Sequence, residues 1–291
     1  MRLGSYYDGN GALRACALAR ESTLLDLAAA DESLPTELLT VVNHLADLAP
    51  RIEQLIGQTP ADACVPLETV QLGPPFQPGK IIGIGLNYRD HAAETGQALP
   101  DFPTVFAKFP NAVTGPSEPI RLPASSAQVD YEGELGAVIG RRSRAVPQSE
   151  ALAVVAGYVI VNDVSARDVQ NRTSQWTLGK SFDSFAPIGP FLVTADEIPD
   201  PQRLALAVRV NGELVQDSTT ANMVFSVAEL VCLLSEIITL EPGDLITTGT
   251  PGGVGAARVP PLFLHDGDVV EVAIERLGML RNPVTAALGV S

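Results

Sequence analysis

The stretch Val129-Asp130-Tyr131-Glu132-Gly133-Glu134-Leu135-Gly136 carries three acids at alternate positions. In extended backbone, residues two apart project to one face at about 6.5–7 Å. Asp130, Glu132 and Glu134 then share one face, and Val129, Tyr131 and Leu135 the other. Like charges so placed repel, and a hard cation such as Mg²⁺, Mn²⁺ or Ca²⁺ bound through oxygen relieves the repulsion. A solvated edge strand is the competing reading of an isolated Glu-x-Glu. A fourth acid adds weight to the metal. Residues 154–161 are apolar throughout, as in a strand buried on both faces, and they end abruptly in Asn162-Asp163, followed by Ser165, Arg167, Asp168 and Gln170. Polar residues at the end of a buried strand build a site, although Asp163 as the cap of the next turn is equally open.

His91 and Glu94 lie three residues apart in Gly83-Ile84-Gly85-Leu86-Asn87-Tyr88-Arg89-Asp90-His91-Ala92-Ala93-Glu94. On a helix they meet on one face. A carboxylate beside an imidazole fixes its tautomer and raises its basicity, as a general base requires; an ordinary surface hydrogen bond is the plainer alternative. The two glycines are a weak GxG with no long βαβ unit after them, which excludes a dinucleotide-binding reading. Basic residues are unevenly divided, 16 Arg against Lys80, Lys108 and Lys180, and an ammonium does chemistry that a guanidinium cannot. Lys180 stands near the only tryptophan in Gln175-Trp176-Thr177-Leu178-Gly179-Lys180-Ser181-Phe182-Asp183. The glycine-rich turn Gly249-Thr250-Pro251-Gly252-Gly253-Val254-Gly255 offers N–H groups and a hydroxyl to a carboxylate.

The elements that must position these residues are mostly strands. Residues 81–86, 104–108, 135–139, 157–161, 205–210, 245–247 and 269–274 are short, aliphatic or β-branched, and separated by turns such as Asn211-Gly212 and Asp266-Gly267-Asp268. From Lys80 onward helical patterning is scarcer, at roughly residues 93–94, 148–153 and 226–237. This pattern predicts a β-sandwich, roll or barrel rather than a doubly wound sheet. Residues 1–73 read as a small α+β N-terminal domain. It has a hairpin of residues 4–7 and 13–18 about Asp8-Gly9-Asn10-Gly11, then helical spacing over 38–48 and 52–56, ending near Pro50 and Gly57. His44 falls in this amphipathic stretch and His265 in a turn. The Gly73-Pro74-Pro75 to Pro78-Gly79 segment reads as a linker into a domain of residues 74–291.

Composition narrows the function classes. Hydrophobic residues are 46% and charged residues 18% of the 291, as in a folded globular chain. A net charge of −15, with no basic cluster beyond Arg141, Arg142 and Arg144, repels phosphate backbones and excludes nucleic acid as a partner. Three cysteines at spacings that match no metal motif fit a reducing compartment. No stretch approaches ~18 apolar residues, so no membrane span is expected, and with no signal peptide in MRLGSYYDGNGALR the expected location is the cytoplasm.

Six stretches, in order, resemble the fumarylacetoacetate hydrolase family: GIGLNYRDHAAE, FAKFPNAVTGP, VDYEGELGAVIG, GYVIVNDVSARDVQ, WTLGKSFDSFAPIGP and LITTGTPGGVG. The chain is similar to its short bacterial members, the acylpyruvate hydrolases and heptadienedioate isomerases. The likeness runs from about Lys80 onward, residues 1–73 resembling only the variable N-terminal extension. The resemblance implies a mixed β-sandwich roll, mostly β with some α, in a homodimer with one Mg²⁺ or Mn²⁺ per site. It implies Glu132, Glu134 and Asp163 as metal ligands, and His91, Glu94 and Lys180 as catalytic residues. Thr250 would hold the substrate carboxylate, and Arg167 and Gln170 would contact substrate. Tyr88 and Lys108 complete the candidate contacts, with Arg89 and Lys108 placed to meet a second carboxylate or to face solvent. The implied reaction is hydrolysis of a carbon–carbon bond in a small 2,4-dioxo acid of acylpyruvate type through a metal-bound enolate. Decarboxylation of a 2-oxo acid, or isomerisation or hydration of a dienoate, would use the same groups. A catalytically silent binding protein is the alternative from another class.

Overall fold

The computed structural model describes residues 1–286. A mixed sheet of twelve strands dominates it. From edge to edge it runs Cys64–Pro66, Thr23–Asp26, Leu13–Arg20, Arg2–Tyr7, Ala186–Thr194, Val155–Asn162, Gly133–Ile139, Leu245–Thr247, Ile81–Gly85 and Thr104–Lys108. Leu72–Gly73 pairs with Arg2–Tyr7, and Val113–Thr114 with Ala186–Thr194, as side branches. A second sheet is ordered Glu213–Thr219, Ala205–Val210, Val269–Ile274, Gly278–Ala286 and Ile120–Leu122. With the pair Val129–Asp130 and Ser165–Ala166 as a third sheet, this is the mixed roll that the strand pattern and the family resemblance predict.

Burial on both faces of the large sheet follows from the two-residue period of its central strand. Tyr158 and Ile160 pack toward the second sheet with Leu206, Val208, Val270, Val272 and Leu280. Val159 and Val161 point the other way, against Leu38, Val41, Ile52 and Leu55 of the N-terminal helices. The first 73 residues therefore share a sheet, through Leu3 opposite Leu192, and a hydrophobic cluster with the remainder. Full burial of such aliphatic side chains is worth about 1.5–3 kcal/mol each. Among the described residues, no helix is long and apolar enough to cross a membrane.

Three local expectations are corrected. Pro50 does not end a helix: the break falls at His44, between Leu38–Asn43 and Leu45–Gln58, and Pro50 sits inside the second helix. A proline there removes one backbone donor, and Ile52 and Leu55, both buried against the sheet, hold the helix across it. The proline-rich segment after Gly73 is a packed strap, with Pro74, Pro75 and Phe76 buried and the Ser5 hydroxyl donating to Pro75 O at 2.7 Å. The acidic stretch is not one strand. Val129–Asp130 pairs with Ser165–Ala166, Tyr131 and Glu132 leave strand geometry, and Gly133–Ile139 joins the large sheet.

Candidate active site

Strand register brings the acids together. Gly133 stands opposite Asn162 in the antiparallel pair that includes Glu134 and Val161. The chain crosses back at the same point: Asp163 N donates to Glu132 O at 2.8 Å, and Asn162 Oδ1 accepts from Glu132 N at 3.0 Å. Oxygens of Glu132, Glu134 and Asp163 consequently lie within 4.8 Å of one another, all buried. Asp130 stands apart from the cluster. It accepts from Gly255 N at 2.8 Å and Ala256 N at 3.0 Å, so it anchors the glycine-rich turn.

Cations surround the cluster unevenly. Lys180 Nζ donates to Glu132 Oε2 at 2.6 Å and Asp163 Oδ2 at 2.7 Å, and lies 5.0 Å from the Phe106 ring centre. Arg167 bridges Asp130 at 2.8 Å and Glu132 at 2.6 Å and donates to Gln170 Oε1 at 3.0 Å. Burial opposes the Glu132 charge, yet Arg167 and Lys180 outweigh it and hold its carboxyl below the usual range. Glu134 lacks any such partner among the described ion pairs and accepts only from Gly249 N, at 2.9 Å. Burial, with Asp163 and Glu132 alongside, pushes its carboxyl well above the ordinary carboxylate range. Four buried carboxylates face three cations here, counting Lys108. An all-oxygen donor set short of one positive charge fits a hard divalent ion.

Lys108, expected as a substrate contact, does not line the cavity. Its ammonium is fully buried behind the acids, donating to Asp163 Oδ1 and, at 3.1 Å, to Val164 O. Phe106 and Lys108, two residues apart, share the buried face of one edge strand, yet Phe106 lines the cavity and Lys108 does not. Tyr88 also stays off the cavity wall, buried with its hydroxyl unpartnered. Arg89 is exposed and likewise absent from the wall.

The cavity over the acids has a volume of about 370 Å³, and His91, Glu94, Arg167, Gln170, Lys180 and Thr250 all line it. Thr250 is already engaged, donating to Gly133 O at 3.1 Å and accepting from Gln216 Nε2 at 2.9 Å. His91 and Glu94 share the helix Arg89–Thr95, but Glu94 Oε2 accepts from Gly253 N and leaves the buried His91 Nδ1 unpartnered. Gly253 has φ +100°, and a Cβ there would fall 2.1 Å from Val215 O, so the glycine is what lets the turn reach the helix. Burial lowers the His91 pKa below the ordinary histidine value, Glu132 opposing and Arg167 reinforcing the shift. Leu86, on the wall before this helix, has φ 55°, a backbone conformation that costs a leucine energy and clusters at functional sites.

Three positioning side chains escaped the sequence reading. Gln216 accepts from Gly133 N at 2.9 Å and donates to both Thr250 Oγ1 and Pro251 O, tying the acidic segment to the glycine-rich turn. Asn87 donates to Thr248 O at 2.7 Å and Phe225 O at 3.0 Å. Asp90 accepts from Ser218 and Asn222. A lone amide or acid carries no pattern that signals such a contact; only Asp130, two residues before Glu132, had one.

Residues 80–285 match the family described as fumarylacetoacetate (FAA) hydrolase, C-terminal. A Dictyostelium discoideum fumarylacetoacetate hydrolase domain-containing protein 2 homolog is 45% identical over 276 residues, covering 91% of this chain and 90% of that one. The mitochondrial oxaloacetate tautomerase fahd2 of Xenopus laevis is 49% identical over 215 residues, 73% of this chain and 67% of its own. Among solved structures, maleylpyruvate hydrolase from Sphingobium sp. SYK-6, in complex with manganese(II) and pyruvate, is similar at 30% identity and a TM-score of 0.83, covering 99% of this chain and 100% of that one.

Proposed function

The chain belongs to the fumarylacetoacetate hydrolase family, and from that premise we propose that it is a divalent-metal-dependent enzyme moving a proton at C3 of a small 2-oxo acid. The observation that carries this reading is the buried cluster of Glu132, Glu134 and Asp163, from which Glu132 and Glu134 line one cavity together with Lys180 and His91. A Mg²⁺ or Mn²⁺ ion held by the three carboxylates would supply Lewis-acid polarisation of the 2-oxo group. His91, neutral and partnerless at Nδ1, accepts the C3 proton or returns it. Lys180 stabilises the negative charge that develops on the 2-oxygen.

Two reactions use that step. Keto–enol interconversion needs nothing more than a proton shuttle, and the separation of Glu94 from His91 favours it; the oxaloacetate tautomerase relative supports it. Hydrolysis of an acylpyruvate is the second reading, supported by the maleylpyruvate hydrolase likeness. It needs His91 to deprotonate a water that attacks the C4 carbonyl, breaking C3–C4, and Glu94 to leave Gly253 and support the imidazole. The homodimer implied by the family resemblance is part of the proposal, and sedimentation of the purified chain tests it. Protein stripped with chelator and reloaded with Mg²⁺ or Mn²⁺ should ketonise enol-oxaloacetate, followed by ultraviolet absorbance, with pyruvate release from acylpyruvates as the parallel assay. Rates identical with and without metal in both assays would overturn the assignment.

A further inference from the structure

The cavity wall changes character with depth. Its buried inner part holds Glu132, Glu134, Lys180 and Thr250, half-buried His91, Arg167, Trp176 and Ala257 come between, and its exposed outer part is formed by Thr95, Gln97, Asn171 and Ala256. Those outer residues are uncharged. The one ionisable group among the exposed wall residues is an acid, Glu94. Both wall cations lie inward and are tied to carboxylates, Arg167 to Asp130 and Glu132, Lys180 to Glu132 and Asp163. Lys108, the third buried cation, is off the wall, and exposed Arg89 and Arg172 do not line it.

We infer that this site accepts a second carboxylate only on a compact 2-oxo acid, and that the tail of any longer substrate must be uncharged. The inference rests on the proposed 2-oxo acid chemistry and adds a rule about charge. Four buried carboxylates against three cations leave a deficit of one. A divalent ion turns it into a surplus of one, which the substrate's own first carboxylate cancels. A second carboxylate attached at C3 remains within the zone of Arg167 and Lys180. One placed several carbons farther out meets amides, small apolar side chains, the indole and Glu94. A charge removed from water without a partner is penalised, and a like charge nearby adds to the penalty.

The test uses the full-length, metal-loaded protein and two acids of equal length, 2,4-dioxoheptanoate and 2,4-dioxoheptanedioate, compared by calorimetric Kd and by kcat/KM. The uncharged tail should be favoured by about 10–100-fold, the usual worth of leaving a charged group unpaired. Gln97→Arg, which supplies a cation at the mouth, should narrow the gap by about tenfold. Equal affinity for the two acids would overturn the inference, as would a preference for the diacid that Arg89→Gln or Arg172→Gln abolishes. Failure of the metal-loaded protein to act on either acid or on oxaloacetate, while still binding the uncharged tail more tightly, would sink the proposed reaction and leave the charge rule standing.

Discussion

Glu132, Glu134 and Asp163 are fixed by backbone pairing at the meeting of two central strands, with Lys180 and Lys108 bonded to them from other elements. The helix Arg89–Thr95 that brings His91 over them has seven residues and no side-chain cap on its first turn. It is fastened by Glu94 to Gly253 and by Asp90 to Ser218 and Asn222, with Ala92 its buried residue. A helix so short is marginal by itself because nucleation is costly. The floor is therefore rigid through register and charge, whereas the roof depends on a few polar contacts at its rim. Groups that must keep fixed mutual distances are built into paired strands or directly beside their ends, and the group that must admit substrate is built on something that opens.

The largest effect should come from the floor. Glu132→Ala, Glu134→Ala and Asp163→Ala should each bring turnover to background and weaken Mg²⁺ or Mn²⁺ binding by calorimetry, while circular dichroism shows the fold retained. Glu134→Ala should be the least harmful to stability, since it removes the carboxylate that has no cation partner. A triple variant still active after chelation would erase the distinction between floor and roof.

His91→Ala should lower kcat by about 10²–10⁴-fold, the span of general acid–base catalysis, with metal affinity nearly unchanged. The pH profile sharpens this. Burial lowers the His91 pKa, so the neutral base persists below the ordinary histidine value of about 6.5. The acid limb of kcat/KM should have its midpoint below that value and vanish in His91→Ala. Stability carries the same sign: the unfolded chain takes up the proton first, so folding is penalised as pH falls below about 6.5, until the folded-state value is passed. A limb centred above that value would contradict a buried, neutral imidazole.

Smaller effects belong to the fastenings. Asp90→Asn or Ser218→Ala should cost about 0.5–1.5 kcal/mol, read as about a 2–10-fold rise in KM with little change in kcat. In hydrogen exchange, residues 89–101 should gain protection when oxalate binds, while the strand bearing Glu134 is protected throughout. Equal protection of the 89–101 segment in both states would make the roof as rigid as the floor.

The sequence shows the difference between these regions only in part. Strands at 81–85, 104–108, 205–210 and 269–274 declare themselves through aliphatic runs between turns, because burial on a pleated surface dictates composition. The interruption at Tyr131 and Glu132 has no such signature, since it arises from Val129–Asp130 and Gly133–Ile139 choosing different partners far along the chain. The acids that crowd together are visible in Glu-x-Glu and Asn-Asp. Phe106 and Lys108 share one face of their edge strand, so alternation alone does not tell that Phe106 reaches the cavity and Lys108 the back of Asp163. Likewise, the spacing of His91 and Glu94 permits their contact, and the nearby N–H of Gly253 decides against it.

The seam between Arg2–Tyr7 and Ala186–Thr194 bears on how this chain tolerates shortening. A version beginning at residue 74 would leave Leu192 and Val193 with open backbone donors and acceptors. It would also bare Val138, Val159, Val161, Ile188 and Leu245, which the N-terminal helices now cover. An unpaired apolar edge beside an uncovered apolar face is a template for sticking to other chains. The first 73 residues, which contribute nothing to the cavity wall, thus act as a built-in guard against aggregation, and soluble expression of the catalytic portion should require them.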